Sequence, residues 1–233
     1  MSSFNSKFIN VSHQYVKTKF DLFRKYTKDL ESSIHNIEIE MIEEYENMTQ
    51  GLTKQEIDEF WAFHTDDHSE INKEYPNLLR GNTLTNAYSY FEKSLIDNHT
   101  MLKGAVSTSL FPNPKDLNSK SIKKMRGSTI EKLEQCFLDI SFSFPSGTEW
   151  ERILQYKDIR NNIIHNGGIV ENSSVLTDKV VIAINNLNHV RVSPKSKRIM
   201  FDEEFSNDVF VTMTDFYDKL FQEIRKYVQT HNL

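Results

Sequence analysis

Residues 148–168 read Thr148-Glu-Trp-Glu-Arg-Ile-Leu-Gln-Tyr-Lys-Asp-Ile-Arg-Asn-Asn-Ile-Ile-His-Asn-Gly-Gly168, a helix with both ends marked. Thr148 and Glu151 have the spacing of a capping box, in which a hydroxyl and a carboxylate satisfy the free amides of a first turn. The Gly167-Gly168 pair offers the left-handed conformation that closes many helices. At about 100° per residue, Trp150, Ile153, Leu154 and Ile164 share one stripe, while Tyr156, Ile159 and Ile163 lie on the far side. The helix is expected to be clasped from two directions, with Asp158 and Asn162 facing water. Asn161 falls in the middle of the first stripe, His165 follows one turn later on the same face, and Arg160 sits at the stripe's other margin.

Burying Arg or Asn is costly unless partners are supplied, so this triplet needs a reason. One reading is a sealed hydrogen-bond network, with Asn161 and His165 satisfying loop carbonyls and Arg160 paired with an acid. The other is a phosphate site. Arg supplies a fixed cationic fork, His moves a proton near neutral pH, and Asn orients the group under attack.

Outward from this helix, the chain reads as mainly α. From Val11 to Met48, Phe23, Tyr26, Leu30, Ile34, Ile37, Met41, Tyr45 and Met48 recur at steps of three and four without Gly or Pro, predicting a long amphipathic helix. Thr53 and Glu56 form a second capping box, opening a helix expected to fade before Pro76. A third stripe runs from Leu78 to Met101, followed by a Ser, Pro, Asn and Lys-rich connection from Ser107 to Lys124. Ser128 and Glu131 make another box before Leu133, Cys136, Phe137 and Ile140. Beyond Gly168 the pattern changes: the β-branched runs Val180 to Ile184, Val190 to Val192 and Arg198 to Phe201 predict a small antiparallel hairpin within 180–201. A final helix is expected from Glu203 to Tyr227. The organisation predicted is an N-terminal helical region, residues 1–76, packing on a core of residues 77–233.

Composition narrows the function classes. Sixteen Phe, nine Tyr and 38% hydrophobic residues exclude a disordered chain, and seven Gly with five Pro favour long helices over many short strands. The lone Cys136 permits no internal disulfide and suggests a reducing, cytoplasmic setting. Neither a secretory leader nor a membrane span is read from the sequence. A net charge of −5 argues against a protein that coats nucleic acid nonspecifically, because that affinity comes from many Lys and Arg contacts to phosphate. Two local basic segments remain: Lys115, Lys120, Lys123, Lys124 and Arg126, and Arg191, Lys195, Lys197 and Arg198. The plain reading of both is solvated loop; the first is also the best candidate for RNA contact. His64 and His68, one turn apart with Asp67 between, have zinc-like spacing but lack a third ligand and the glutamate base of a metalloprotease, so a solvated helix end is favoured. No Walker loop, dinucleotide fingerprint or nucleophile elbow is present.

The segment from Asp158 to Gly168 resembles the R-N-x-x-x-H motif of the HEPN superfamily, and Arg80 to Glu92 resembles the earlier helix that packs beside that motif and often carries an acid, here Glu92. The resemblance spans roughly Asn77 to Gly168. It implies a HEPN-like helical bundle that dimerises with the two motif helices facing each other, and a metal-independent endoribonuclease without cofactor, of the kind used as toxins or against phage. His165 would assist attack of the ribose 2′-hydroxyl or protonate the leaving oxygen, Arg160 would stabilise the phosphorane, Asn161 would position the phosphate or the partner His, and Glu92 would hold Arg160. An antitoxin or defence-system partner belongs to the same picture. So does a non-catalytic alternative, an RNA-binding or interaction module paired with a partner protein.

Overall fold

The computed structural model describes residues 6–109, 127–171 and 178–231. Its helices are α1 (Ser6–Met48), α2 (Lys54–Phe63), α3 (Thr65–Ser69), α4 (Tyr75–Ser109), α5 (Thr129–Asp139), α6 (Thr148–Asn166), α7 (Lys179–Asn186) and α8 (Phe205–Thr230). A two-stranded antiparallel sheet, β1 (Val190–Val192) and β2 (Ile199–Phe201), lies between α7 and α8, with Val190 opposite Phe201. The described chain is thus mainly α with one late hairpin.

α8 is the central helix. Val209, Met213, Phe216, Leu220 and Ile224 recur at helical spacing and are fully buried, and α1, α4 and α6 pack around them. Trp150 of α6 stacks on Phe216 with ring centres 5.3 Å apart, and the Tyr217 hydroxyl donates to the Phe91 carbonyl of α4 at 2.8 Å. α1 adds Ile9, Val16 and Phe20 to the same core. It is further tied by Glu31, which accepts two 2.7 Å hydrogen bonds from Arg80, while Arg80 also donates to the Phe201 carbonyl of β2.

Several expectations are corrected. The stripe read along α1 is only in part a packing face: Phe23, Leu30, Ile34, Met41 and Tyr45 are half-buried, Phe23 against the core, but Tyr26, Ile37 and Met48 are exposed, and the fully buried line runs through Ile9, Val16, Phe20 and Thr27. Periodicity identified the helix, but two apolar lines share it. Val180 to Ile184 is helical rather than extended. Asp178 caps the helix by accepting from the Val180 amide at 3.0 Å, and Val180, Val181, Ala183 and Ile184 are buried while Ile182 is exposed, a helical rather than an alternating pattern. The helix opened at Thr53 does end before Pro76, at Phe63, but Pro76 itself lies inside the start of α4. A π-turn at Glu70–Glu74 widens the hydrogen bonding just ahead of it, so that the ring and its missing N–H fall in the first turn of α4. The boxes at Thr53 and Ser128 form, with Glu56 and Glu131 each accepting the cap residue's amide at 2.7 Å. The one read at Thr148 does not. Gly147 is the cap, and its carbonyl already accepts from Glu151 N, so Thr148 is one residue inside the helix.

Candidate active site

The site is built on the last two turns of α6 and the facing turn of α4. Arg160 is half-buried, with its guanidinium carbon 5.7 Å from the centre of the Tyr88 ring. Its Nη1 donates to Asn161 Oδ1 at 3.1 Å, and its buried Nε has no hydrogen-bond partner among the described residues. Tyr88 is almost wholly buried. Burial first, then the carboxylate of Glu92, raise its phenol far above the usual range, against a smaller opposing pull from Arg160. The phenol therefore stays neutral and offers Arg160 the face of a ring. Glu92, one turn further along α4, forms no ion pair with Arg160; both act on Tyr88 from its surroundings.

His165 lies in the final turn of α6 and is exposed, with no hydrogen bond or ion pair among the described residues. It follows Asn161 by one turn and so shares its face. Beside it Ile164, expected in the core stripe, is 45% exposed. The sealed network considered from the sequence is not formed: Arg160 meets an aromatic ring instead of an acid, and His165 reaches solvent. The arrangement offers a half-buried guanidinium backed by an aromatic ring and, five residues further along the same helix, an exposed imidazole; a cationic fork of this kind can hold an anion, and an imidazole can move a proton.

Asn162, expected to face water, is buried and is the positioning residue that the wheel missed. Its Nδ2 donates to the Ile169 carbonyl at 3.0 Å, and its own carbonyl accepts from the amides of Gly167 and Gly168. Gly167 has φ 62° and Gly168 φ 76°, conformations in which a side chain would be strained. The chain leaving them pairs with the hairpin: Ile199 N donates to Gly168 O and Val170 N to Lys197 O, both at 2.8 Å. The hairpin thus fixes the end of the helix that carries His165. The signal available in the sequence was the Asn162-to-Gly168 spacing, a polar residue within reach of its own helix's C-cap.

Lys157 was also unanticipated. It is buried one turn before Asn161 and meets Glu131 at 3.4 Å and Asp158 at 3.5 Å. Glu131 is held down to about 2 by the Ser128 hydroxyl first, with the Ser128 amide and Lys157 adding to it. Cys136 is buried and its thiol is pushed up to about 11, which makes it an inert core residue.

Lys120, Lys123, Lys124 and Arg126, with Lys115, lie outside the described residues. In the second basic segment Arg191 pairs with Asp202, and Arg198 approaches Glu74 at 3.6 Å. His64 bonds Asp67 at 3.0 Å, and His68 lies 3.6 Å from Glu38; among the described residues no group of three potential ligands could hold a metal ion. No helix among them is long and apolar enough to cross a membrane. Compared with known proteins, the chain matches no family model, no curated protein and no solved structure.

Proposed function

We propose that the chain is a HEPN-type, metal-independent endoribonuclease, acting as a homodimer with its motif helices apposed. The observation that carries this reading is the presence on one helix end of an exposed imidazole, His165, and a guanidinium, Arg160, neither of which has a carboxylate partner among the described residues. A structural Arg on a packed helix is ordinarily compensated by an acid. Here the positive charge is left for a ligand.

In the mechanism this supports, His165 takes the proton of the ribose 2′-hydroxyl, or its copy in the other protomer protonates the departing 5′-oxygen. The 2′-oxygen forms the new bond to phosphorus, and the products are a 2′,3′-cyclic phosphate and a 5′-hydroxyl. Arg160 stabilises the extra negative charge of the phosphorane. Asn161, bonded to Arg160, fixes the guanidinium plane and faces the same side as His165, and Tyr88 backs the guanidinium while Glu92 tunes the field around both. The exposed Ile164 and Ile169 flanking His165 provide an apolar rim for the dimer contact. The chemistry suits a toxin or anti-phage effector under the control of a partner protein.

The test is incubation of the purified protein with total RNA in excess chelator. Cleavage with 2′,3′-cyclic phosphate ends is expected, and His165→Ala should lower the rate by about 10²-fold or more with the fold retained. Cleavage that survives in folded His165→Ala overturns the acid–base assignment. Wild-type protein that binds RNA without cutting it gives the site to the interaction-module reading.

A further inference from the structure

α1 carries a second apolar line that is exposed and that no other described residue covers. Val11 and Leu22 stand eleven residues apart, as do Tyr15, Tyr26, Ile37 and Met48, and all six are between 48% and 66% exposed. At about 100° per residue they fall within one stripe roughly 100° wide, turned roughly 110° from the buried line of Ile9, Val16, Phe20 and Thr27. An eleven-residue spacing keeps a stripe almost straight on a helix, the pattern of a helix that meets another along its length. With 43 residues, α1 offers about 65 Å of such a face.

The charges of α1 identify the partner. Residues 6–28 hold six Lys or Arg against one Asp; residues 29–48 hold seven Asp or Glu and no Lys or Arg. Lys19 falls within the same sector and Lys25 about 40° beside it in the first half, and Asp29, Glu40 and Glu44 fall within it in the second. This polarity opposes the helix's own dipole, which favours acids near the N-terminus and bases near the C-terminus; α1 has neither an acid in its first turn nor a base in its last. An antiparallel second copy reverses the disadvantage, setting each basic half beside an acidic one and the two dipoles head to tail. A parallel copy would set like charges together along the whole contact.

We propose that two copies of this chain associate by antiparallel pairing of α1 along the Val11 to Met48 stripe. Pairing centred on Tyr26 sets Tyr15 against Ile37 of the partner subunit, because the three are equally spaced. This contact is distinct from the motif-helix contact proposed above and does not depend on it. The body's own ties to α1 use other side chains: His13 and Lys17 bond Asp218 at 2.6 and 3.0 Å, and Glu31 bonds Arg80.

The experiment uses the full chain carrying Ile164→Asp, which removes the motif-helix contact, so that the two associations are read separately. Sedimentation should show a dimer that dissociates as salt rises, since the charge pairing is screened. Adding Tyr26→Glu should make it monomeric; both changes are at exposed positions and leave the fold intact. Under oxidation Tyr26→Cys should give a covalent dimer, as should a mixture of Tyr15→Cys and Ile37→Cys chains, while Tyr15→Cys alone should not; the buried Cys136 does not compete. A monomer in the Ile164→Asp background, or self-linking by Tyr15→Cys as efficient as by Tyr26→Cys, overturns the proposal, the first leaving the stripe to a different protein and the second making the pairing parallel.

Discussion

The first three turns of α6 and its last turn follow one helical path but face different environments. Trp150, Ile153, Tyr156 and Ile159 are sealed in a helix packed against α7, α8 and α4, and even Lys157 is buried, reaching half-buried acids. Past Ile159 the packing thins on one face: Arg160 and Asn161 are half-buried, and Ile164 and His165 are exposed. The rigid part sets the direction of the open part. A catalytic group needs a fixed base and a free tip, and a helix that changes from core to surface within one turn supplies both.

The sharpest way to break this contrast is to truncate a large residue on each side of it. Trp150→Ala removes a ring stacked on Phe216, edge-on to Phe144 and bonded through Nε1 to Glu134. It should lower stability by about 3–5 kcal/mol in urea unfolding. Ile164→Ala should change the stability of a single protomer by less than about 0.5 kcal/mol, because the side chain is nearly half in water. Equal losses at the two positions would show that the last turn is as packed as the first.

A finer contrast lies between neighbours. Asn162 is buried and holds the chain after Gly168 against β2, whereas Asn161 bonds only the Arg160 beside it. Asn162→Ala should cost about 1–3 kcal/mol, since it removes a buried side chain and the donor to the Ile169 carbonyl. It should also speed amide exchange at Val170 and Ile199, whose bonds stitch this segment to the hairpin. Asn161→Ala should cost less than about 0.5 kcal/mol and, on the function proposed above, lower RNA cleavage instead. If the two variants lose stability equally, the division between a structural and a functional asparagine fails.

The sequence carried this division only in part. Caps, glycines and apolar steps marked α1, α5, α6 and α8, because those signals act within a few residues. The wheel placed Trp150, Ile153, Tyr156 and Ile159 in the interior but put Ile164 there too. Whether a stripe continues into core depends on what packs beyond it, and that depends on residues far away in the chain. Asn162 was misread for the same reason: its partner, the Ile169 carbonyl, comes within reach only because two left-handed glycines turn the chain back. Arg160, Asn161 and His165 stood out as polar residues on an apolar face, but Tyr88 did not, since a buried tyrosine on α4 reads as core until the guanidinium above it is seen. Val180 to Ile184 shows the limit of β-branched composition as evidence for a strand, because Asp178 at the cap position and burial at helical spacing decide otherwise.

The smallest effect expected concerns pH and the sealed side of the comparison. Glu131 accepts from the Ser128 amide and hydroxyl at the start of α5 and reaches across to Lys157 on α6. Its folded-state pKa, about 2, lies below the ordinary 4.5, so the charged form is the one the fold favours. Its contribution is therefore fully present above about 4.5 and is lost as pH falls toward about 2, where the carboxylate protonates in the folded state as well. Ser128→Ala should cost about 1 kcal/mol at about pH 7, the usual loss for a cap. Because much of what the hydroxyl stabilises is the ionised Glu131, that difference should shrink as the medium is acidified, and Glu131→Gln should show little of this pH dependence. Urea midpoints of wild type and both variants at neutral and strongly acidic pH make the measurement. A Ser128→Ala deficit that stays constant through the acid range would mean that the hydroxyl caps the helix without help from the Glu131 charge.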